Sequence, residues 1–211
     1  MMRKYKTSGF KRIILILSCL QVSFLPCSVE VRAGNMGIFE KTQSRMVNLE
    51  ATYLLHVIKL VQWSDKDLPA KGRPVKCLIV GEDKSSFLDR FAFLVSESKT
   101  RISGRRITVH GVEKMKDALG LAQKNKDVVL IVALDSVAEQ WNKAMYPKRS
   151  GLLIYGQSEK FLQSGMALFS QISNNRVKIS VNLSKTKAVG LTVSPELLSQ
   201  DRIFLVENNQ E

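Results

Sequence analysis

Two short, almost uninterrupted apolar runs limit the fold more than any other feature of the chain. Val75–Val80 (VKCLIV) ends at Gly81, and Val128–Ala133 (VVLIVA) contains no polar residue at all. Runs of six are too short for buried helices, and their β-branched residues favour the extended backbone. A strand that is apolar on both faces must be covered on both, which is the situation of an inner strand in a sheet flanked by helices. The chain of 211 residues is therefore directed toward an α/β architecture.

The segments around these strands read as follows. From Ser44 to Gln62, Met46, Leu49, Tyr53, Leu54, Val57, Leu60 and Val61 recur at three and four, the period of an amphipathic helix. Thr52, His56, Lys59 and Trp63 form a second stripe if that helix persists to Trp63. Asp65 to Pro74 reads as a loop, and Ser85 or Ser86 starts a helix running through Val95. A strand is expected at Arg105–Val109 and a helix from Glu113 to Gln123. Ser136-Val137-Ala138-Glu139 matches a capping box, which predicts a helix stopped near Pro147. Strands follow at Gly151–Tyr155 and Met166–Ile172, with a short helix at Glu159–Gln163 between them.

In Val177–Leu183 the apolar residues alternate with Lys178, Ser180 and Asn182, so one face of this strand is buried. Asn174-Asn175 supplies a tight turn from the strand before it. Ser184 is the expected cap of a short helix ended by Gly190, and Ser194-Pro195 is an N-cap with proline at the first helical position. The expected fold is α/β: a single domain, a mixed β-sheet flanked by helices, with a C-terminal β-hairpin.

The N-terminus has a different character. Arg3, Lys4, Lys6, Lys11 and Arg12 precede an apolar run from Ile13 to Leu25, and Val31-Arg32-Ala33 offers small residues for cleavage. This is the layout of a secretory signal peptide, and its 13-residue apolar run is shorter than the roughly 20 residues a membrane-spanning helix needs. The expected organisation is a signal peptide at 1–33, a flexible N-terminus at 34–43, the α/β domain at 44–200 and a C-terminal tail at 201–211. Export would place the protein in the periplasm. The whole chain carries +13; removing six Lys/Arg and one Glu with residues 1–33 leaves 26 basic against 18 acidic residues, or +8. Nucleic acid is the usual partner of such a charge, but export removes that partner. The basicity then serves solubility or attraction to anionic membranes and acidic proteins. Loss of Cys19 and Cys27 leaves Cys77 alone, so the exported domain folds without an internal disulfide.

Catalytic and metal chemistry find little support. His56, His110 and Cys77 have no ligand spacing among them, and no metal or cofactor is expected. Gly156-Gln157-Ser158-Glu159-Lys160 lacks the second glycine of a nucleophile elbow, and neither a P-loop nor a dinucleotide fingerprint is present. Asp65 with Asp67 and Glu82 with Asp83 lie in expected loops, where solvated carboxylates are commoner than a tuned acid and base. Lys99, Arg101, Arg105 and Arg106 form the densest basic cluster, and it is either a solvated loop or a contact for an acidic partner or an anionic ligand. Trp63 either covers the edge of the core or anchors an interface. Trp63, Lys59, Arg105 and Arg106 are the candidate partner-binding residues.

Ala51-Thr52-Tyr53-Leu54, Lys59-Leu60-Val61-Gln62-Trp63, Cys77-Leu78-Ile79-Val80-Gly81, Ser103-Gly104-Arg105-Arg106-Ile107, Gly156-Gln157-Ser158 with Phe161 and Gly165, Val177 to Leu183, Ala188, Gly190-Leu191 and Leu197-Leu198 follow one another along the chain. This order of motifs resembles the YfiR family (DUF4154) of periplasmic proteins. The resemblance implies a non-enzymatic periplasmic α/β domain, often a homodimer, that acts by binding proteins. It implies repression of an inner-membrane diguanylate cyclase (YfiN-like) through its periplasmic domain, which lowers cyclic-di-GMP and biofilm formation. It also implies relief of that repression by an outer-membrane lipoprotein (YfiB-like). The family's Trp-Pro pair is Trp63-Ser64 here, and its cysteine pairs are missing. A small-ligand-binding sensor and an unrecognised hydrolase using His56 or His110 are the alternatives.

Overall fold

The structure, a computed structural model, describes residues 33–141, 149–163, 166–173 and 176–206. Residues 1–32 of the expected signal peptide, the Asn174-Asn175 turn, the stop at Pro147 and residues 207–211 lie outside the described residues.

The first helix, α1, runs from Ala33 to Leu60, so the segment expected to be a flexible N-terminus is helical. Its buried positions are Met46, Val47, Glu50, Ala51, Leu54, Leu55, Val57 and Ile58, while Leu49, Tyr53 and Leu60 sit at the margin. The helix stops two residues earlier than expected because Val61–Gln62 becomes a strand, β1. β1 pairs antiparallel with β9, Thr192–Val193, far along the chain. That pairing turns Trp63 out of the helical stripe of Thr52, His56 and Lys59.

The buried run Val75–Val80 forms β2 as expected. The helix α2, Phe87–Ser98, follows, but neither Ser85 nor Ser86 caps it. The Asp83 carboxylate does so, accepting the N–H groups of Phe87 at 2.9 Å and Leu88 at 2.7 Å. Arg101–Ile102 (β3) and Arg105–Val112 (β4) then make a two-residue hairpin through Ser103 and Gly104, both at positive φ (46° and 81°). This is the backbone of a primed turn, whose twist matches that of the strands and whose second position favours glycine. After α3, Met115–Lys124, the second apolar run forms β5, Val128–Ala133.

The expected capping-box helix is corrected here. Asp135–Gln140 is a 3-10 segment without a side-chain cap. Ser136 Oγ instead accepts the backbone N–H of Glu82 at 2.9 Å, so its hydroxyl ties this segment to the end of β2. The remaining elements are β6 (Leu153–Gly156), α4 (Lys160–Gln163), β7 (Leu168–Ser173), β8 (Arg176–Val181), α5 (Leu183–Ala188), α6 (Pro195–Leu198) and β10 (Ile203–Leu205). The strand expected to reach Leu183 ends at Val181. Asn182, not Ser184, caps α5 by accepting the Lys185 N–H at 3.0 Å, and Leu183 is exposed. Ser194 caps α6 with Pro195 at its start, as expected. The segment expected to be a tail contributes β10, parallel to β8.

One mixed eight-stranded sheet results, in the order β10-β8-β7-β6-β5-β2-β4-β3. The strands from β4 through β7 run parallel, and the β3–β4 and β7–β8 pairs are antiparallel. Alternate side chains of each inner strand enter different cores. Cys77 and Ile79 face the core made with α1, α2 and the C-terminal elements; Leu78 and Val80 face that made with α3, the 3-10 segment and α4. The sequence expectation of a mixed sheet covered on both faces is met. Gly156, at the end of β6, is required by close approach: a Cβ there would lie 2.5 Å from the buried Phe161 ring. The Gly156 and Phe161 of the family motif are therefore one packing unit.

Candidate functional site

The basic cluster separates into two roles once the hairpin forms. Successive side chains of a strand point to opposite sides. Arg105 goes inward and is 4% exposed; Arg106 goes outward. Inside, the Arg105 guanidinium donates to Pro69 O at 2.7 Å, Asp65 Oδ1 at 2.9 Å and Ser103 O at 3.0 Å. It therefore binds the 65–69 loop to the hairpin, and Asp65 serves as its counter-charge.

Arg106 comes together with Arg101 and Lys99 at the edge of the sheet beside α2. Together they line a groove of about 280 Å³ between α2 and β4, with Ala92, Val95, Ile107 and Val109 as its apolar lining. None of the three cations forms an ion pair among the described residues. Arg101 stands directly opposite Arg106 in the ladder. Ile102 and Arg105 close the two-residue turn as a hydrogen-bonded pair, so Arg101 and Arg106 form the next, non-hydrogen-bonded pair, in which side chains come closest, with Cα atoms about 4.5 Å apart. Like charges in that position destabilise a hairpin. Lys99 is also held at a positive φ of 50°, an unfavourable conformation for a residue with a Cβ. Local stability is lost at this edge on two counts, and the gain is a concentrated positive field over an apolar lining.

The other sequence candidates lie elsewhere. Trp63 is 7% exposed and its Nε1–H donates to Gly151 O at 3.1 Å, so it holds the 149–151 turn against the core and offers no side chain to a partner. Lys59 is exposed on α1 but does not line the groove. His56 Nε2 and Gln200 Nε2 are 2.8 Å apart, and His110 Nε2 lies 3.1 Å from Thr108 Oγ1. The two histidines attach to different elements and make no joint site. Among the described residues no three metal-ligating side chains converge, and no helix is long and apolar enough to cross a membrane.

Sequence reasoning missed a buried carboxyl. Glu50 of α1 is 5% exposed; its Oε1 accepts a hydrogen bond from Ser170 of β7, and the Tyr155 hydroxyl of β6 lies 3.5 Å away. Burial pushes its pKa up to about 7 against the hydrogen bonds of Ser170 and Tyr155, which lower it. Burial, and then the charge of Glu50, raise Tyr155 well above its ordinary value. The signal was available: Glu50 occupies a position on the buried stripe between Val47 and Leu54. Burial likewise raises the Cys77 thiol, leaving it an inert core group.

A mixed eight-stranded sheet flanked by helices, with a cluster of cations beside one edge, defines an α/β domain. The chain belongs to the YfiR/HmsC-like family (DUF4154), whose model matches residues 47–200. No curated protein matches the chain. A crystal structure of a conserved domain protein from Vibrio cholerae O1 biovar El Tor strain N16961 is similar at 11% identity and a TM-score of 0.49, over 76% of this chain and 60% of that one. The chain thus spans about three-fifths of that protein's length.

Proposed function

We propose that this protein is an exported periplasmic regulator that represses an inner-membrane diguanylate cyclase by binding its periplasmic domain. Family membership across residues 47–200 is the observation that supports this reading, and the basic, apolar and small-residue succession at the N-terminus is consistent with export. Repression of this kind needs no chemistry in the repressor. It needs tighter binding to the inactive arrangement of the cyclase than to the active one, and that difference sets how far the equilibrium moves. A YfiB-like outer-membrane lipoprotein relieves repression by competing for the repressor.

Deleting the gene should raise cyclic-di-GMP and biofilm formation, and an exported copy should lower both. The reading fails if deletion leaves cyclic-di-GMP unchanged while a cyclase with a periplasmic domain is expressed beside it.

A further inference from the structure

The backbone of β4 is paired on one side from Ile107 to its end but on the other only at its start. β2 sets Val75–Val80 against Ile107–Val112, whereas β3 covers Arg105 and Arg106 alone. The direction of each backbone group follows from alternation. Val112 O accepts the Gly81 N–H at 2.9 Å and so faces β2; His110 and Thr108, two and four residues before it, face the same way. Arg105 faces β3, and so Ile107, Val109 and Gly111 direct their N–H and C=O groups out from the sheet. No other strand pairs with them among the described residues.

Unpaired edges are ordinarily blunted by charged side chains, proline, a bulge or a very short strand, and of these the edge of β4 carries only charge. This one has a regular register with β2 and no proline. It begins where Lys99, Arg101 and Arg106 cluster without counter-charges, and its first outward residues, Ile107 and Val109, line the same groove. The edge thus supplies backbone donors and acceptors, an apolar groove and positive charge in one place.

Resting on the reading of the protein as a regulator that works through a partner, we infer that the β4 edge docks an extended acidic segment of that partner as an added strand, Ile107, Val109 and Gly111 providing the ladder and Lys99, Arg101 and Arg106 the charge recognition. Main-chain bonds give affinity in such additions, and side-chain sites select the sequence. An acidic strand also neutralises the Arg101–Arg106 pair, so the repulsion present in the free hairpin is relieved on docking.

The test uses the purified protein and an acetylated octapeptide alternating glutamate with valine, with a lysine–valine peptide and phosphatidylglycerol vesicles as comparisons. The acidic peptide should bind saturably, more weakly as salt rises, and should protect the amides of Ile107, Val109 and Gly111 from hydrogen exchange. Arg106→Gln should weaken it by about tenfold, while Lys116→Gln, on α3, should leave it unchanged. Val109→Pro removes an outward N–H without touching the β2 ladder and should abolish binding; an acidic peptide N-methylated at alternate residues asks the same question of the unmodified protein. Equal binding of the lysine peptide, undiminished binding of the N-methylated peptide, or binding confined to the vesicles would each overturn the inference. These results are independent of whether deletion alters cyclic-di-GMP, so failure here and failure of the repressor reading are told apart.

Discussion

The protein keeps ionisable groups in two contrasting settings: the centre of the sheet under α1, and the edge beside α2. At the centre Glu50 lies between α1 and strands β6 and β7, and burial holds its proton to about pH 7. At the edge Arg101 and Arg106 face each other in the ladder and stay exposed. A carboxyl removed from water can become neutral, whereas a guanidinium remains charged throughout the accessible pH range. In the interior Glu50 is held neutral up to about pH 7 and Arg105 is bonded to three acceptors, while Arg101 and Arg106 carry their charge at the surface without an ion pair.

The largest expected effect comes from breaking the bonded interior case. Arg105→Ala removes three hydrogen bonds and leaves the 65–69 loop unanchored; about 3 kcal/mol of stability should be lost, measured by chemical denaturation. Arg105→Lys should recover only part of it, because an ammonium cannot span the same three acceptors in one plane. A loss under about 1 kcal/mol would mean that the hairpin is held by β2 alone.

Glu50 gives the next effect, and its sign is set by which state holds the proton. The unfolded carboxyl loses its proton near 4.5 and the folded one near 7, so between these values the folded protein binds more protons. The associated stability is fully present below pH 4.5 and is lost as pH rises through about 7, by about 3 kcal/mol at most. Glu50→Gln should flatten the pH dependence of unfolding between 4.5 and 7. An unchanged slope would show that Glu50 is ionised inside the fold.

Cys77→Ala, in the same interior, should cost about 1–2 kcal/mol through the smaller side chain, without loss of fold. Adding reductant to the unmodified protein should leave its melting temperature in place. The smallest effect has the opposite direction. Arg106→Thr removes one of two facing like charges and should stabilise the domain by about 0.5 kcal/mol at low salt, less at high salt. A destabilisation would mean that the edge is compensated within the monomer.

Much of the fold was legible because hydrophobic pattern acts locally. The continuous apolar runs of β2 and β5 gave the inner strands, the period of two gave β8, and Ser194-Pro195 gave the start of α6. The misreadings share a cause. Ser136 and Ser184 have the chemistry of caps, but a hydroxyl bonds to whichever backbone group the fold brings near. Ser136 therefore serves Glu82 across the sheet, and Asn182, one turn-step earlier, takes the cap of α5. Val61–Gln62 carries helical periodicity yet pairs with Thr192–Val193, and nothing local to either segment announces the other. The candidate residues divide in the same way: the cluster at 99–106 was visible as composition, but the inward turn of Arg105, the outward turn of Arg106 and the burial of Trp63 were not.

The sequence by itself determined the α/β class, the two-sided cover of the inner strands, the family, and the concentration of basic residues near one turn, because composition, periodicity and motif order are properties of the chain alone. The tertiary structure decided which of those cations are spent on the interior, that Arg101 faces Arg106, that no described strand pairs with the outer side of β4 beyond Arg106, and that Glu50 is buried against Ser170 and Tyr155. Each of these depends on a register or a contact between segments distant along the chain, and its energy exists only once both segments are in place.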